Sequence, residues 1–511
     1  ANGSGGNAEE LTAVGAGCLE NNTTGQYNTA VGSRCLEQAT TGSGRNTAVG
    51  NEAMEETTTG YYNVAVGSNS LESNTTGHSN VAIGINALLV SNGVQNTAVG
   101  GFALDANTTA ANNVAIGYNA LTANTTGAQN IAVGQGAMAS NTTGTDNCAY
   151  GHAAMGSATN TGSGRNNAFG YEALQDLTTG TQNQAMGFQA GANLTTGSYN
   201  KIMGAEAMEN STTATGNIAI GHDTLRQCNT NYNVAIGYQA LTADTTGTRN
   251  TSVGRSALGS NTTANDNTAV GAYALTAAQS TASKNVGVGV SALAGTSSGQ
   301  KNTAVGFHAA LANTTGYDNT AVGSEALKLC STGNTTTAVG ARALYAQTTA
   351  QENVAVGHQA GNAITTGSDN TLVGSNCGMT ATTDAGLTAV GKSALQSSTG
   401  SFNTAVRVSA LAAVTGNHNV AMGRNTGNNN TSINYCVAIG DYALDAAGTG
   451  NSNVAIGYQA MTANTTAGDN VAIGMNAMLA NTTGASNVAI GNAALDANTT
   501  GSNCTAVGSA A

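Results

Sequence analysis

The chain is 511 residues long, enough for three or four ordinary domains, yet only 8% of it is charged and 4% aromatic, with no Trp, no Pro and 69 Gly. An interior built without bulky rings has to be thin and filled by small side chains, and 40% hydrophobic content with Val, Ile and Leu at fixed places argues against disorder. A net charge of −12 without any basic stripe argues against a nucleic-acid partner, and no apolar run approaches the roughly 18 residues of a membrane-spanning helix.

In chain order, residues 1–10 (ANGSGGNAEE) read as a Gly-rich lead-in, and from residue 11 to residue 511 one phrase recurs. Aligned on the Gly that closes NVAIG-like stretches, the series runs Gly15, Gly32, Gly50 and onward to Gly508, thirty positions with a mean spacing of 17 residues. Its consensus is N-[TV]-A-[VI]-G-x-x-A-[LM]-x-x-N-T-T-G-x-x. The leading Asn holds in 25 of the 30 copies, the exceptions being Leu11, Thr336, Leu387, Cys436 and Cys504. The central Ala fails only at Ile202, Ser252, Gly287 and Leu372, and Arg407 alone replaces the closing Gly. Asn113, Ala115 and Gly117 in one copy, and Asn130, Ala132 and Gly134 in the next, stand for the restricted positions.

Seventeen residues cannot hold two helices with turns, because helical repeats need about 33 or more. The stretch N-V-A-I-G alternates with period two, so Val114 and Ile116 face one way and Ala115 and Gly117 the other. Y-N-A-L fits a short second strand, and NTTG has turn chemistry, with Asn tolerating left-handed geometry and Gly supplying positive φ. Two strands and two bends per phrase describe one coil of a parallel β-solenoid, a β-roll of about 30 coils. The absence of Pro agrees, since every internal strand is paired on both sides. Stacked identical Asn side chains are expected to hydrogen-bond along the axis as a ladder. Two Ala, one Val or Ile and one Leu offer each coil a marginal core, so the chain is expected to self-associate, with the small-residue face of Ala115 and Gly117 packed against another chain.

The phrase NTAVG or NVAIG followed by x-x-A-L resembles the left-handed β-roll heads of trimeric autotransporter adhesins. The longer phrase, as in residues 233–254 and 453–474, resembles repeats of phage tail fibres and related surface fibres. The resemblance covers about residues 11–511 and implies a homotrimeric shaft or head on a virion tail or an extracellular appendage, with no catalytic residues to carry over. Two features depart from it: the adhesin repeat is usually shorter than seventeen residues, and neither a coiled-coil stalk, a membrane anchor nor a chaperone domain is legible here. Neither end carries an evident capping repeat, so the expectation is either a segment of a longer fibre or subunits stacked end to end into a filament.

Residue chemistry gives little else. Cys18 and Cys35 fall in the same Ala position of consecutive copies, within Cα range of a disulfide, and form the candidate bridge. Cys148, Cys228, Cys330, Cys377, Cys436 and Cys504 have no matching Cys in a neighbouring copy and read as small buried side chains. No CxxC suggests zinc, and His78, His152, His222, His308, His358 and His418 lie on separate coils, too far apart to share a metal. His222-Asp223 reads as a solvated pair. Asn-Thr-Thr occurs eleven times, for example at Asn22, Asn124 and Asn481, and matches the glycosylation acceptor pattern, although turn chemistry accounts for it. No paired carboxylates or nucleophile–base arrangement recurs, so no enzyme and no cofactor are expected.

Binding belongs at the variable positions. Tyr27, Tyr62, Tyr199 and Tyr232 precede the leading residue, while Tyr118, Tyr171, Tyr238 and Tyr458 follow the closing Gly. Exposed Tyr there suits contact with protein or carbohydrate, and aromatic filling between neighbouring chains is the alternative. The sequence therefore points to a non-enzymatic structural fibre. An adhesin recognising a host surface protein or glycan is the second reading, and an ice-binding solenoid a minor third.

Overall fold

The computed structural model describes residues 10–40, 42, 44–159, 164–446 and 448–511. The lead-in lies outside the described residues except for Glu10. The described chain is all-β and forms a parallel β-solenoid with one strand per repeat, from β1 (Thr12–Val14) to β30 (Thr505–Val507). It divides into two compact units: residues 1–255, which carry β1 to β15 (Thr251–Val253), and residues 256–511, which carry β16 (Thr268–Val270) to β30.

Register follows the repeat without slip. In the first unit β7 (Val114–Ile116) pairs with β8 (Ile131–Val133) as Val114↔Ile131, Ala115↔Ala132 and Ile116↔Val133. In the second, Val454, Ala455 and Ile456 lie beside Val471, Ala472 and Ile473. A one-residue slip would exchange the faces of every side chain, so the alternation itself fixes the pairing.

The expected second strand is not a strand. After β7 the backbone alternates hands, with positive φ at Gly117 (137°), Asn119 (57°) and Leu121 (53°). The sequence reason is visible afterwards: Ala120 and Leu121 are adjacent, yet both are fully buried, which a period-two strand forbids. A left-handed conformation costs an ordinary residue about 1–2 kcal/mol, and burying a Leu side chain returns about 1.5–3 kcal/mol. The position takes Leu or Met in most coils and never Val, Ile or Thr, since β-branched residues rarely tolerate positive φ.

Backbone hydrogen bonds run to both neighbouring coils. Gly117 and Asn119 donate their N–H groups back to Val99 O at 2.8 Å and Gly101 O at 3.0 Å, while Leu121, Ala123 and Thr125 donate forward to Ala137, Ala139 and Thr142. The main chain is thus paired well beyond the strands, which explains the absence of Pro more fully than strands alone.

The interior of a coil consists of Asn113, Ala115, Ala120, Leu121 and Asn124, all fully buried. This overturns one expectation. The small-residue face looks into the coil it belongs to, and Val114 and Ile116 are the side chains that face out, Ile116 being 40% exposed. Small residues are selected because they must fit inside a narrow coil. Gly117 meets a second demand: a Cβ there would lie 2.5 Å from Gly134 O. Arg407 keeps the same turn at φ 92°.

The leading Asn forms a ladder, mainly between side chain and backbone. Asn113 Nδ2 donates to Gly127 O at 2.9 Å, and Asn113 Oδ1 accepts the backbone N–H of Asn130 at 2.9 Å. Amide-to-amide bonds join it in places, as from Asn200 Nδ2 to Asn183 Oδ1 at 3.0 Å. Thr336, Leu387, Cys436 and Cys504 still donate their own N–H to the amide oxygen of the preceding coil at 2.8–3.0 Å; Leu387 has no oxygen to pass on.

The NTTG bend differs from expectation as well. Asn124 is buried with ordinary φ, and its Nδ2 donates to Gly127 O at 2.9 Å and Asn107 Oδ1 at 3.2 Å. Gly127 has no positive φ either; it is small because a Cβ would sit 2.3 Å from Gly144 O.

Candidate functional site

With Ala facing inward, each strand presents its first and third residues to the outside. The third position is apolar in all thirty strands, mostly Val or Ile, with Met at 186, 203 and 422, Tyr150 and Phe169. The first position is Thr, Val or Ile almost throughout, and Lys201 is its single charged residue. Val14, Ile116, Met186 and Val507 are among the exposed members of the third column. The result is a ribbon of mostly β-branched side chains, charged at Lys201 alone, and exposed apolar faces of that extent mark interaction surfaces. The sequence held this signal in full, but assigning the small residues to the outer contact face hid it.

The four Tyr after the closing Gly are exposed, as expected, and each also meets an aromatic ring of an adjacent coil. Tyr118 sets an edge against Phe102 at 5.8 Å, and Tyr458 does so with Tyr442 at 6.3 Å. Tyr171 stacks between His152 at 5.0 Å and Phe188 at 5.3 Å. Tyr238 stacks on His222 at 5.6 Å, with the Arg255 guanidinium 5.9 Å from its ring. Axial stacking buries ring faces and leaves edges in solvent, so these columns brace the coils as much as they offer contacts.

Cys18 and Cys35 stand on consecutive coils as free thiols. Each points at backbone carbonyls, Cys18 Sγ 3.2 Å from Gly32 O and Cys35 Sγ 2.7 Å from Gly50 O. Burial raises the Cys35 thiol, and the neighbouring Cys18 adds to it. Burial also pushes Cys228 and Cys330 up to about 11 and Cys377 up to about 12. Thiols held this far above neutrality are poor nucleophiles.

Stacking assembles one constellation that sequence spacing conceals. Glu206, on the coil before, comes within 4.8 Å of the His222 and Asp223 ligand atoms, and His222 Nδ1 lies 3.0 Å from Asp223 Oδ2. The Arg226 guanidinium reaches the same group, 3.2 Å from Glu206, 2.6 Å from Glu209 and 3.5 Å from Asp223. That cation already supplies the charge the carboxylates call for. A similar cluster joins Arg34 to Glu37 on its own coil and to Glu52 and Glu55 on the next. Asn22, Asn124 and Asn481 are buried, so these three Asn-Thr-Thr sites are unsuited to sugar attachment in the folded chain, whereas Asn334 and Asn498 are half-exposed.

No protein-family model matches the chain, and comparison with curated proteins gives no match. The likeness to adhesin heads and tail fibres rests on the repeat phrase alone. Among the described residues, no helix is long and apolar enough to cross a membrane.

Proposed function

We propose that this protein is a non-enzymatic structural subunit of a fibre or filament that assembles from copies of itself through the outward apolar ribbon. The observation that carries this reading is the third strand position, thirty apolar residues in thirty strands, much of it exposed. Fifteen coils at about 4.8 Å, each presenting three residues at about 3.3 Å, offer on the order of 700 Å² in each unit. A stable protein interface takes about 800 Å² from each partner. Three copies is the number that the resemblance to adhesin heads and tail fibres favours, on a virion tail or an extracellular appendage. The mechanism is mechanical: continuous backbone pairing gives stiffness, and variable side chains decorate the surface.

Sedimentation velocity on the purified chain tests this. Species at a multiple of 50.1 kDa are expected. A 50.1 kDa monomer persisting at tens of micromolar would remove the basis of the proposal.

A further inference from the structure

The corner just before the leading residue carries a second feature, independent of the ribbon. Two positions before that residue, four successive coils place Gln26, Gly44, Tyr61 and His78 in one column, and Gln26 and Gly44 pair in parallel register. His78 covers one face of the Tyr61 ring, at 4.6 Å and 12° between planes. On the opposite side the next member of the column is Gly44, which has no side chain. One rung is therefore missing between Gln26 and Tyr61, and a cavity of about 380 Å³ opens there, lined by Thr24, Gln26, Tyr27, Arg45, Tyr61 and Tyr62 together with Gly42 and Gly44. Backbone bonds hold the walls: Arg45 N donates to Gln26 O at 2.9 Å, Tyr62 N to Gly44 O at 3.0 Å and Ser79 N to Tyr61 O at 3.0 Å.

The adjoining column supplies a cation. The Arg45 guanidinium lies between the Tyr27 and Tyr62 rings, 5.1 Å and 5.4 Å from their centroids, and its Nη1 donates to the Tyr62 hydroxyl at 3.0 Å. Arg34, Arg226, Arg342 and Arg407 all pair with carboxylates, but among the described residues none pairs with Arg45. A planar fork fixed between two rings, free of any acid in an acidic chain, is arranged to receive a carboxylate from elsewhere. The rest of the lining is one open ring face surrounded by hydroxyl and amide groups, which suits the C–H face and hydroxyl rim of a pyranose.

We infer that this cavity binds a carboxylated sugar of the uronic acid type, with its ring on Tyr61 in the space above Gly44 and its carboxylate on Arg45. The second unit has a related corner of about 270 Å³, lined by Gln300, Lys301, Tyr317 and Asp318 among others. There an acid stands one coil from the lysine and no glycine opens the column, so it serves as an internal control.

Ligand-detected NMR on the full chain, with methyl glucuronide and methyl glucoside as probes, decides the matter. The glucuronide is expected to bind about tenfold more tightly than the glucoside, the scale of one charge-assisted hydrogen bond. Arg45→Gln should erase that preference. Gly44→Gln should remove binding of both sugars, because it restores the missing rung; its Cβ would meet Gln26 O at 3.1 Å and Gln26 N at 3.9 Å. Lys301→Gln should change nothing, and thermal midpoints report that each variant folds. Equal affinity for the two probes, no binding of either, or binding that survives Gly44→Gln in a folded protein would each overturn the assignment.

Discussion

Ile202 and Leu372 look like errors in the repeat until their neighbours are placed. Where Ile202 replaces the central Ala, the preceding coil has Gly191 in the left-handed position that normally holds Leu, and a Cβ on Gly191 would lie 2.8 Å from Ile202 Cδ1. Gly361 and Gly378 flank Leu372 in the same way. Core volume is exchanged between adjacent coils, which close packing requires. Ile202→Ala should therefore open a cavity and cost about 2–5 kcal/mol. Gly191→Leu alone should also destabilise, by overpacking, while the double substitution should recover most of the loss. Thermal midpoints of the four proteins form the cycle, and additive losses would show that the two positions do not share space. The exceptions were legible as residues but not as a pair, because the compensation runs between copies.

Asp384 gives the second residue-level expectation. It occupies a position that Gly or Ala fills in most coils, is 5% exposed, and its Oδ2 is buried without a hydrogen-bond partner. Burial raises its carboxyl above the ordinary range. The folded state then holds the proton more tightly than the unfolded chain, so this group's contribution to stability declines as pH rises above about 4 and through its raised folded value. Asp384→Gly should raise the thermal midpoint at pH 7, and the gain should shrink toward pH 3. A gain independent of pH would assign the effect to backbone fit instead.

At the scale of the coil, the Asn ladder is the unit of cohesion. Asn130 accepts the buried N–H of Asn147 at 3.0 Å and donates to Gly144 O at 2.7 Å. Asn130→Ala leaves the buried Asn147 N–H without its acceptor, at about 1–3 kcal/mol, while Gly144 O keeps the 3.2 Å bond from Asn141 Nδ2. Hydrogen exchange should quicken at the Asn147 amide and across its coil, while coils several layers away keep their protection. Uniform loosening of the whole first unit would mean that coils do not open individually. One strand, its register and the coil period were all readable from NVAIG, because alternation over five residues has one interpretation. The rest of the coil was misread for a physical reason: A-L contains too few residues to show that both face inward, and alternating left-handed residues leave no periodic trace in polarity. The same gap turned Ala115 outward, where the structure buries it inside the coil.

For the whole molecule, the balance lies between that ribbon and a net charge of −12. Like charge opposes association at long range and is screened over about 8 Å at physiological ionic strength. Apolar burial is not weakened by salt, and sulfate strengthens it. Self-association through the ribbon should therefore tighten from low to moderate sodium chloride and tighten further in ammonium sulfate, whereas an interface held by ion pairs would loosen. Because the third column carries no charge, a lysine placed there meets no compensating acid in that column. Ile116→Lys combined with Val99→Lys should shift sedimentation toward the 50.1 kDa species, with the thermal midpoint of the monomer nearly unchanged, since both side chains already face outward. The matched pair Tyr118→Lys and Gln135→Lys, one position beyond the Gly, adds the same charge off the ribbon and should leave association intact. If both pairs dissociate the protein equally, net charge governs assembly and the ribbon loses its role; if neither does, the copies meet elsewhere.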